Sequence, residues 1–303
     1  MTNVYIKSFA RPFYLDRCIR SIRFNLQGYD RIVVLDDGTE RAHLERIRAL
    51  HPDVEIRSSG ADDGKMALLR EEKFSEIAER YPSAPRFWVA EIDKDPHDYT
   101  LVLEDDAWLS RHVDLTTLVP HLAEKNTAIC KLWWSNPAHH VTERSAAPLG
   151  PGIEFFSIDN DLAKAARTIW IVAFALFRRD YWLSAVSQAK RLGDERSQFA
   201  AARSFAVAHP GLSFAKTERR CVHQGWAVPA RSTPEYYGKK LIQHRFMDAL
   251  NAAWMDGDLS PLHGYPQDFP TDMITSILSR GLPDDDVRAW QAWHAADITY
   301  YYD

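Results

Sequence analysis

The sequence predicts an α/β fold: a Rossmann-like, mostly parallel central sheet flanked by helices, with a small helical appendage at the C-terminus. Three observations carry this. Short apolar, β-rich runs alternate with segments of helical period through the first third of the chain, the order of a parallel sheet. Two of those runs stop abruptly at adjacent acids, Asp36-Asp37 and Glu104-Asp105-Asp106. A buried strand meets charge where it leaves the core. Beyond Gly238 the strand signals give way to helical period, then to Gly, Pro and acids.

Taken in order, Val4 to Phe9 reads as the first strand, and Pro12, which lacks a ladder N–H, breaks it. Leu15, Cys18, Ile19 and Ile22 recur at helical spacing between Phe13 and Phe24. Tyr29 to Leu35 is a second strand ending at Asp36-Asp37-Gly38-Thr39, and Glu40 to Leu50 a helix ended by His51-Pro52. Val54 to Ile56 is a weak strand, Gly60 to Gly64 a polar loop, and Lys65 to Arg80 a helix stopped by Tyr81 to Pro85. Asp98 to Leu103 is the strand that runs into the acids. Right-handed crossovers put both acid turns on one sheet edge, the edge where open α/β sheets bind ligands.

The second half is less regular. A helix is expected over Val113 to Glu124, a strand over Ala128 to Trp134 and a loop from Asn136 to Gly152. Thr168 to Phe177 is the strongest buried-strand signal, followed by a helix from Tyr181 to Leu192. Another helix starts at Gly193-Asp194-Glu195, with Asp194 as its cap. Leu212 to Val222 reads as a late strand leading into His223-Gln224-Gly225-Trp226. Pro229 to Tyr237 is a break, and Gly238 to Trp254 is helical. The expected division is 1–237 for the α/β domain and 238–303 for the helical region.

Bulk properties narrow the function. A net charge of −5 implies no nucleic-acid affinity. Cys18, Cys130 and Cys221 lie far apart without zinc-ligand spacing, which suits a reduced, cytoplasmic setting. The N-terminus lacks a signal-peptide core, and the longest apolar run, Ile169 to Phe177, falls short of the roughly 20 residues a membrane helix needs. No transmembrane segment is expected; peripheral membrane association remains open. Ten tryptophans favour stacking on flat ligands, with Trp133, Trp134, Trp170 and Trp226 as candidates.

Three consecutive acids repel one another unless a cation or hydrogen bonds hold them. The simplest cation is a hard divalent ion carrying a phosphate on its other side. Solvated acidic turns are the common alternative. Val4 to Arg11, Val33-Val-Leu-Asp36-Asp37-Gly38-Thr39 and Leu101-Val-Leu-Glu104-Asp105-Asp106 together resemble GT-A-fold glycosyltransferases of family-2-like pattern, from Asn3 to Trp226. The usual DDGS turn reads DDGT here, and the first acid of the DxD turn is Glu104.

The resemblance implies a sugar transferred from a nucleotide-sugar donor, a UDP-sugar favoured, to a hydroxyl on a glycan or lipid-linked acceptor, with Mn²⁺ or Mg²⁺. Bacterial surface-glycan synthesis is the setting it suggests. It implies Asp106 as metal ligand, His223 as a further metal ligand or a diphosphate contact, and Glu104 and Asp105 on the metal's waters or the ribose. Asp36 is expected on the nucleotide, with Asp37 structural or also in contact. Ser8, Phe9 and Arg11 would line the base pocket. Lys65 and Arg70, in the helix after a glycine-containing loop, would meet phosphate. Asp194 or Glu195 would be the base of an inverting transfer, and Asp180 is a third candidate. Two alternatives stand beside this: a non-catalytic relative that binds nucleotide or glycan, and a phosphotransferase with an Asp36 nucleophile, whose D-x-D-x-T spacing the chain lacks.

Overall fold

The computed structural model describes residues 2–81, 84–133, 143–146, 152–156, 169–189, 194–230 and 233–302. The chain order is β1 (Asn3–Ser8), α1 (Pro12–Asn25), β2 (Leu26–Gln27), β3 (Ile32–Asp36), α2 (Arg41–Leu50), β4 (Glu55–Ser58), α3 (Asp63–Arg70), α4 (Phe74–Arg80), α5 (Ala84–Ile92) and β5 (Tyr99–Glu104). Then come β6 (Ala107–Leu109), β7 (Val113–Asp114), α6 (Leu115–Glu124), β8 (Thr127–Lys131), β9 (Glu143–Ala146), β10 (Gly152–Phe156) and β11 (Ala175–Arg178). The rest is α7 (Arg179–Val186), α8 (Glu195–Ala208), β12 (Ser213–Thr217), β13 (Val222–Gln224), α9 (Gln243–Asp256), α10 (Thr271–Gly281) and α11 (Asp284–Tyr302).

The α/β architecture expected from the sequence is present. One sheet runs β4-β3-β1-β5-β11-β8-β12-β10-β9. Its first four strands are mutually parallel, and β11 is antiparallel to both β5 and β8. β1 and β3 are buried along their whole length and β5 nearly so, because helices cover both faces and every alternate side chain must be apolar or paired. The carboxyl ends of β3, β1 and β5 form one edge, with Ser8 opposite Asp36 and Lys7 opposite Glu104.

Several elements differ from the sequence reading. The helix expected from Lys65 to Arg80 is two helices, parted where Glu72 adopts φ +56°. α5 begins near Pro85, inside the expected break, since Pro is tolerated in a helix's first turn. Of the apolar run Thr168 to Phe177, whose first residue lies outside the described ones, only Ala175 onward is strand; Phe174, at φ +63°, interrupts the pleat, and Ile171 and Val172 are only half-buried. The loop expected from Asn136 to Gly152 contains strand β9, and its last residue opens β10; the rest of that loop, Trp134 and the last residues of the Tyr181 to Leu192 helix lie outside the described residues.

The C-terminal helices pack against α1. The Arg17 guanidinium is fully buried, donates to the carbonyls of Pro261 (2.9 Å), His263 (3.0 Å) and Gln267, and lies between the rings of Trp108 (4.2 Å) and Phe269 (4.5 Å). The buried Asp16 carboxylate accepts from Arg20, His51 and the Trp254 indole, joining α1, the end of α2 and α9. Arg23 donates to His51 Nδ1, which fixes the proton on Nε2, facing Asp16. No described helix is long and apolar enough to cross a membrane.

Candidate active site

One turn, Ser8 to Arg11, knits the two acid turns together. The Asp37 N–H donates to Ser8 O, and the Asp105 N–H to Lys7 O. The Ala10 N–H reaches Thr39 Oγ1 at 2.9 Å, while the Phe9 N–H and Ser8 hydroxyl reach Asp105 Oδ2 at 2.8 and 3.2 Å. Ala10 takes φ +56°, the left-handed bend that lets this short segment face both neighbours.

Within the first acid turn, the two carboxylates have different partners. Asp36 is wholly buried, and its carboxylate accepts the N–H of Gly38 (3.1 Å) and Thr39 (3.2 Å), closing its own turn. Burial pushes that carboxyl up to about 6 against the opposing pull of these bonds. Gly38 sits at φ +107°, where a Cβ would also meet Lys65 and Ala61 at 3.0 Å, so glycine is required. Asp37 is the residue with chemistry to spare. Its Oδ2 pairs with Lys65 Nζ at 2.6 Å, and its buried Oδ1 has no hydrogen-bond partner. Lys65 also stands 4.8 Å over the half-buried Phe9 ring.

Arg70 does not join this group. Its guanidinium spans Glu40 (2.7 Å) and both Asp248 oxygens (2.9 and 2.8 Å), strapping α3 to α9 on an exposed surface. These two carboxylates occupy its fork and hold it apart from the Asp37–Lys65 pair.

The second acid turn is internally compensated. Glu104 pairs with Lys7 Nζ at 2.8 Å, and Lys7 also donates to Val172 O. Burial alone would raise the Glu104 carboxyl, but Lys7 outweighs it and holds the group below its ordinary value. Asp105 is buried; its Oδ2 shapes the Ser8 to Arg11 turn, while its Oδ1 faces Arg11 and has no hydrogen-bond partner. Arg11 covers Asp105 Oδ1 at 2.5 Å and also pairs with Asp106 Oδ2. Burial raises the Asp106 carboxyl to about 7, with Arg11 pulling it back. Asp106 Oδ1 is buried and lacks a hydrogen-bond partner.

Among the described residues, no three His, Cys, Asp or Glu side chains are grouped to hold a metal ion. Asp106 Oδ1 nevertheless fits one. Mg²⁺ and Mn²⁺ commonly take one or two carboxylates and draw the remaining ligands from substrate phosphates and water. An orphaned, buried carboxylate oxygen at a sheet's ligand edge is such a donor.

His223 reaches this region through β13, which pairs antiparallel with β6 so that His223 stands opposite Trp108, their rings 6.3 Å apart. The Gly225 N–H donates to Asp106 O at 2.7 Å, tying the two segments. Burial, then Arg111, Arg17 and Arg220, hold the imidazole below its ordinary value. Such a field favours an anion over a second cation. Arg111 and Arg220 were not singled out from sequence; their signal is position, each flanking one of the paired strands β6 and β13.

The segment is anchored from behind. The Trp226 N–H donates to Asp268 (2.6 Å), and the Ala227 N–H to the Tyr14 hydroxyl, which itself donates to Asp268. A Cβ on Gly225 would fall 2.3 Å from the Tyr14 ring.

Asp194 caps α8, accepting the Ser197 N–H at 3.4 Å, and Glu195 is exposed in the first turn. α8 leads into β12, which starts beside Thr127 at the opposite sheet edge. Asp180 is at that same edge, paired with Arg178. Of the tryptophans, Trp170 is core, while Trp133 and Trp226 are half-buried.

No protein-family model and no curated protein matches the chain. Among solved structures it is similar to S. aureus TarS 1-349, at 11% identity and TM-score 0.48 over 92% of this chain and 71% of that one. It is similar to the same fragment in complex with UDP-GlcNAc, at 12% identity and TM-score 0.45 over 99% and 82%. A third is glucosyl-3-phosphoglycerate synthase from Mycobacterium tuberculosis in complex with Mn²⁺, UDP and phosphoglyceric acid, at 13% identity and TM-score 0.43 over 94% and 80%.

Proposed function

We propose that the chain is a metal-assisted glycosyltransferase that moves a sugar from a nucleotide donor, a UDP-sugar favoured, to a hydroxyl on a glycan or lipid-linked acceptor in the cytoplasm. One observation carries the reading: two acid turns knit by Ser8 to Arg11 at the ligand edge of the sheet, with a buried, unpartnered Asp106 oxygen between them and the arginine-flanked His223 segment. Bacterial surface-glycan synthesis is the setting we favour.

Phe9 and Lys65 offer a flat face and a cation to the base, and Asp37 Oδ1 an acceptor for a pyrimidine N–H or ribose hydroxyl. Asp106 Oδ1 would hold the metal, which when bound would offset charge on the diphosphate leaving group. His223, with Arg111 and Arg220 near it, receives the diphosphate as donor and counter-charge. Asp194 or Glu195 takes the acceptor's proton in an inverting transfer. A phosphoaspartate route through Asp36 is disfavoured, because that carboxylate is buried and committed to two backbone N–H groups.

UDP with Mn²⁺ should raise the melting temperature. Saturation at 100 times Kd stabilises the native state by about 2.7 kcal/mol, a shift of several degrees. Thermal scans in which no nucleoside diphosphate plus metal moves the midpoint would overturn the proposal. For the base, one of Asp194→Asn and Glu195→Gln should lower transfer about a hundredfold while keeping the UDP–Mn²⁺ shift. Full turnover in both would remove this pair from the mechanism.

A further inference from the structure

We infer that Arg11 competes with the divalent ion for the carboxylates of the second acid turn, and so makes metal capture depend on nucleotide. The inference rests on the glycosyltransferase reading only for the identity of that nucleotide. Three acids, Glu104, Asp105 and Asp106, meet two cations of the chain itself, Lys7 and Arg11. Lys7 is committed to Glu104 and Val172 O, so Arg11 alone answers the other two. A guanidinium is a planar fork and can bridge two carboxylates at once. Here it takes Asp105 Oδ1 and Asp106 Oδ2, and leaves Asp106 Oδ1 as the single unpartnered oxygen of the ion's proposed ligand.

An ion arriving alone at Asp106 therefore finds one oxygen clear of the guanidinium, which holds the other oxygen of the same carboxylate. Both facts weaken its binding. A diphosphate changes both. It brings further oxygens, and its negative charge gives Arg11 an alternative partner. The exchange asks only for side-chain rotation, because the backbone around Arg11 is fixed. The Ala10 N–H is held by Thr39, the Phe9 N–H by Asp105, and Arg11 O by the N–H groups of Tyr14 and Leu15. With its side chain 21% exposed, Arg11 has a path outward. Arg11 is then a gate on the metal ligand, and nucleotide is what opens it.

Mn²⁺ binding to the full chain, followed by electron paramagnetic resonance of the free ion with and without UDP, tests this. Without UDP, Arg11→Met should bind Mn²⁺ about tenfold or more tighter than the unaltered chain, and the tightening caused by UDP should shrink by the same factor, since coupling is reciprocal. Arg11→Lys should fall between, because an ammonium cannot bridge both carboxylates; it carries the test if the methionine variant does not fold. Equal or weaker Mn²⁺ binding in the folded variants overturns the gate. If UDP shifts the melting temperature but Mn²⁺ binds to no variant, the gate and the metal fall together while the nucleotide site stands. If Arg11→Met gains Mn²⁺ and UDP never binds, the competition stands and the donor assignment fails.

Discussion

Arg17→Met is expected to destabilise the chain by about 3–5 kcal/mol, the cost of stranding several buried acceptors at once. The guanidinium is fully buried and serves three carbonyls of the segment between α9 and α10. Methionine can fill part of the space between Trp108 and Phe269, but it has no donor, and those carbonyls would be left dry and unpaired. Urea titration measures the effect as a lower midpoint at unchanged slope. A loss under about 1 kcal/mol would mean that water enters and takes over the carbonyls, contrary to the burial described.

Asp106→Asn is expected to lower turnover about a hundredfold or more, the scale on which a single charge-stabilising group acts. The amide keeps the shape of the side chain and a partner for Arg11, so the fold should survive; circular dichroism and the melting midpoint check that. Its neutral oxygen is a poor metal ligand, and its charge is lost where diphosphate charge must be balanced. Nucleotide-sugar hydrolysis and transfer with Mn²⁺ are the measurements. A variant retaining more than about a tenth of the rate would move the metal, or the chemistry, away from this turn.

The strands and acid turns were legible because their signals are local. An apolar run, a stop at charge, and a repeated order suffice to put Asp36, Asp37 and Glu104 to Asp106 on one edge. What stayed hidden depends on partners remote in sequence. Arg70 looks like a phosphate contact beside its helix start, yet its partner Asp248 is 178 positions away. Asp105 looks like a ligand in a row of acids, yet Phe9 and Ser8 claim it from another strand. Asp36 is tied up for a subtler reason: the Gly38 and Thr39 N–H groups claim its carboxylate, a matter of turn geometry rather than residue type. The break between α3 and α4 likewise rests on a single positive φ at Glu72, a residue with good helix propensity.

The Arg17 cradle has a consequence for the order of synthesis. Its carbonyl partners follow it by 244 to 250 positions. During synthesis from the N-terminus, α1 and the strands around it are complete long before those acceptors exist. A guanidinium that ends up fully buried must remain hydrated until those acceptors arrive. The face of α1 that carries Arg17, and the Tyr14 hydroxyl that supports the His223 segment, is thus held open until those later residues are made. The nascent protein can own a finished sheet while the backing of its proposed active edge is still missing.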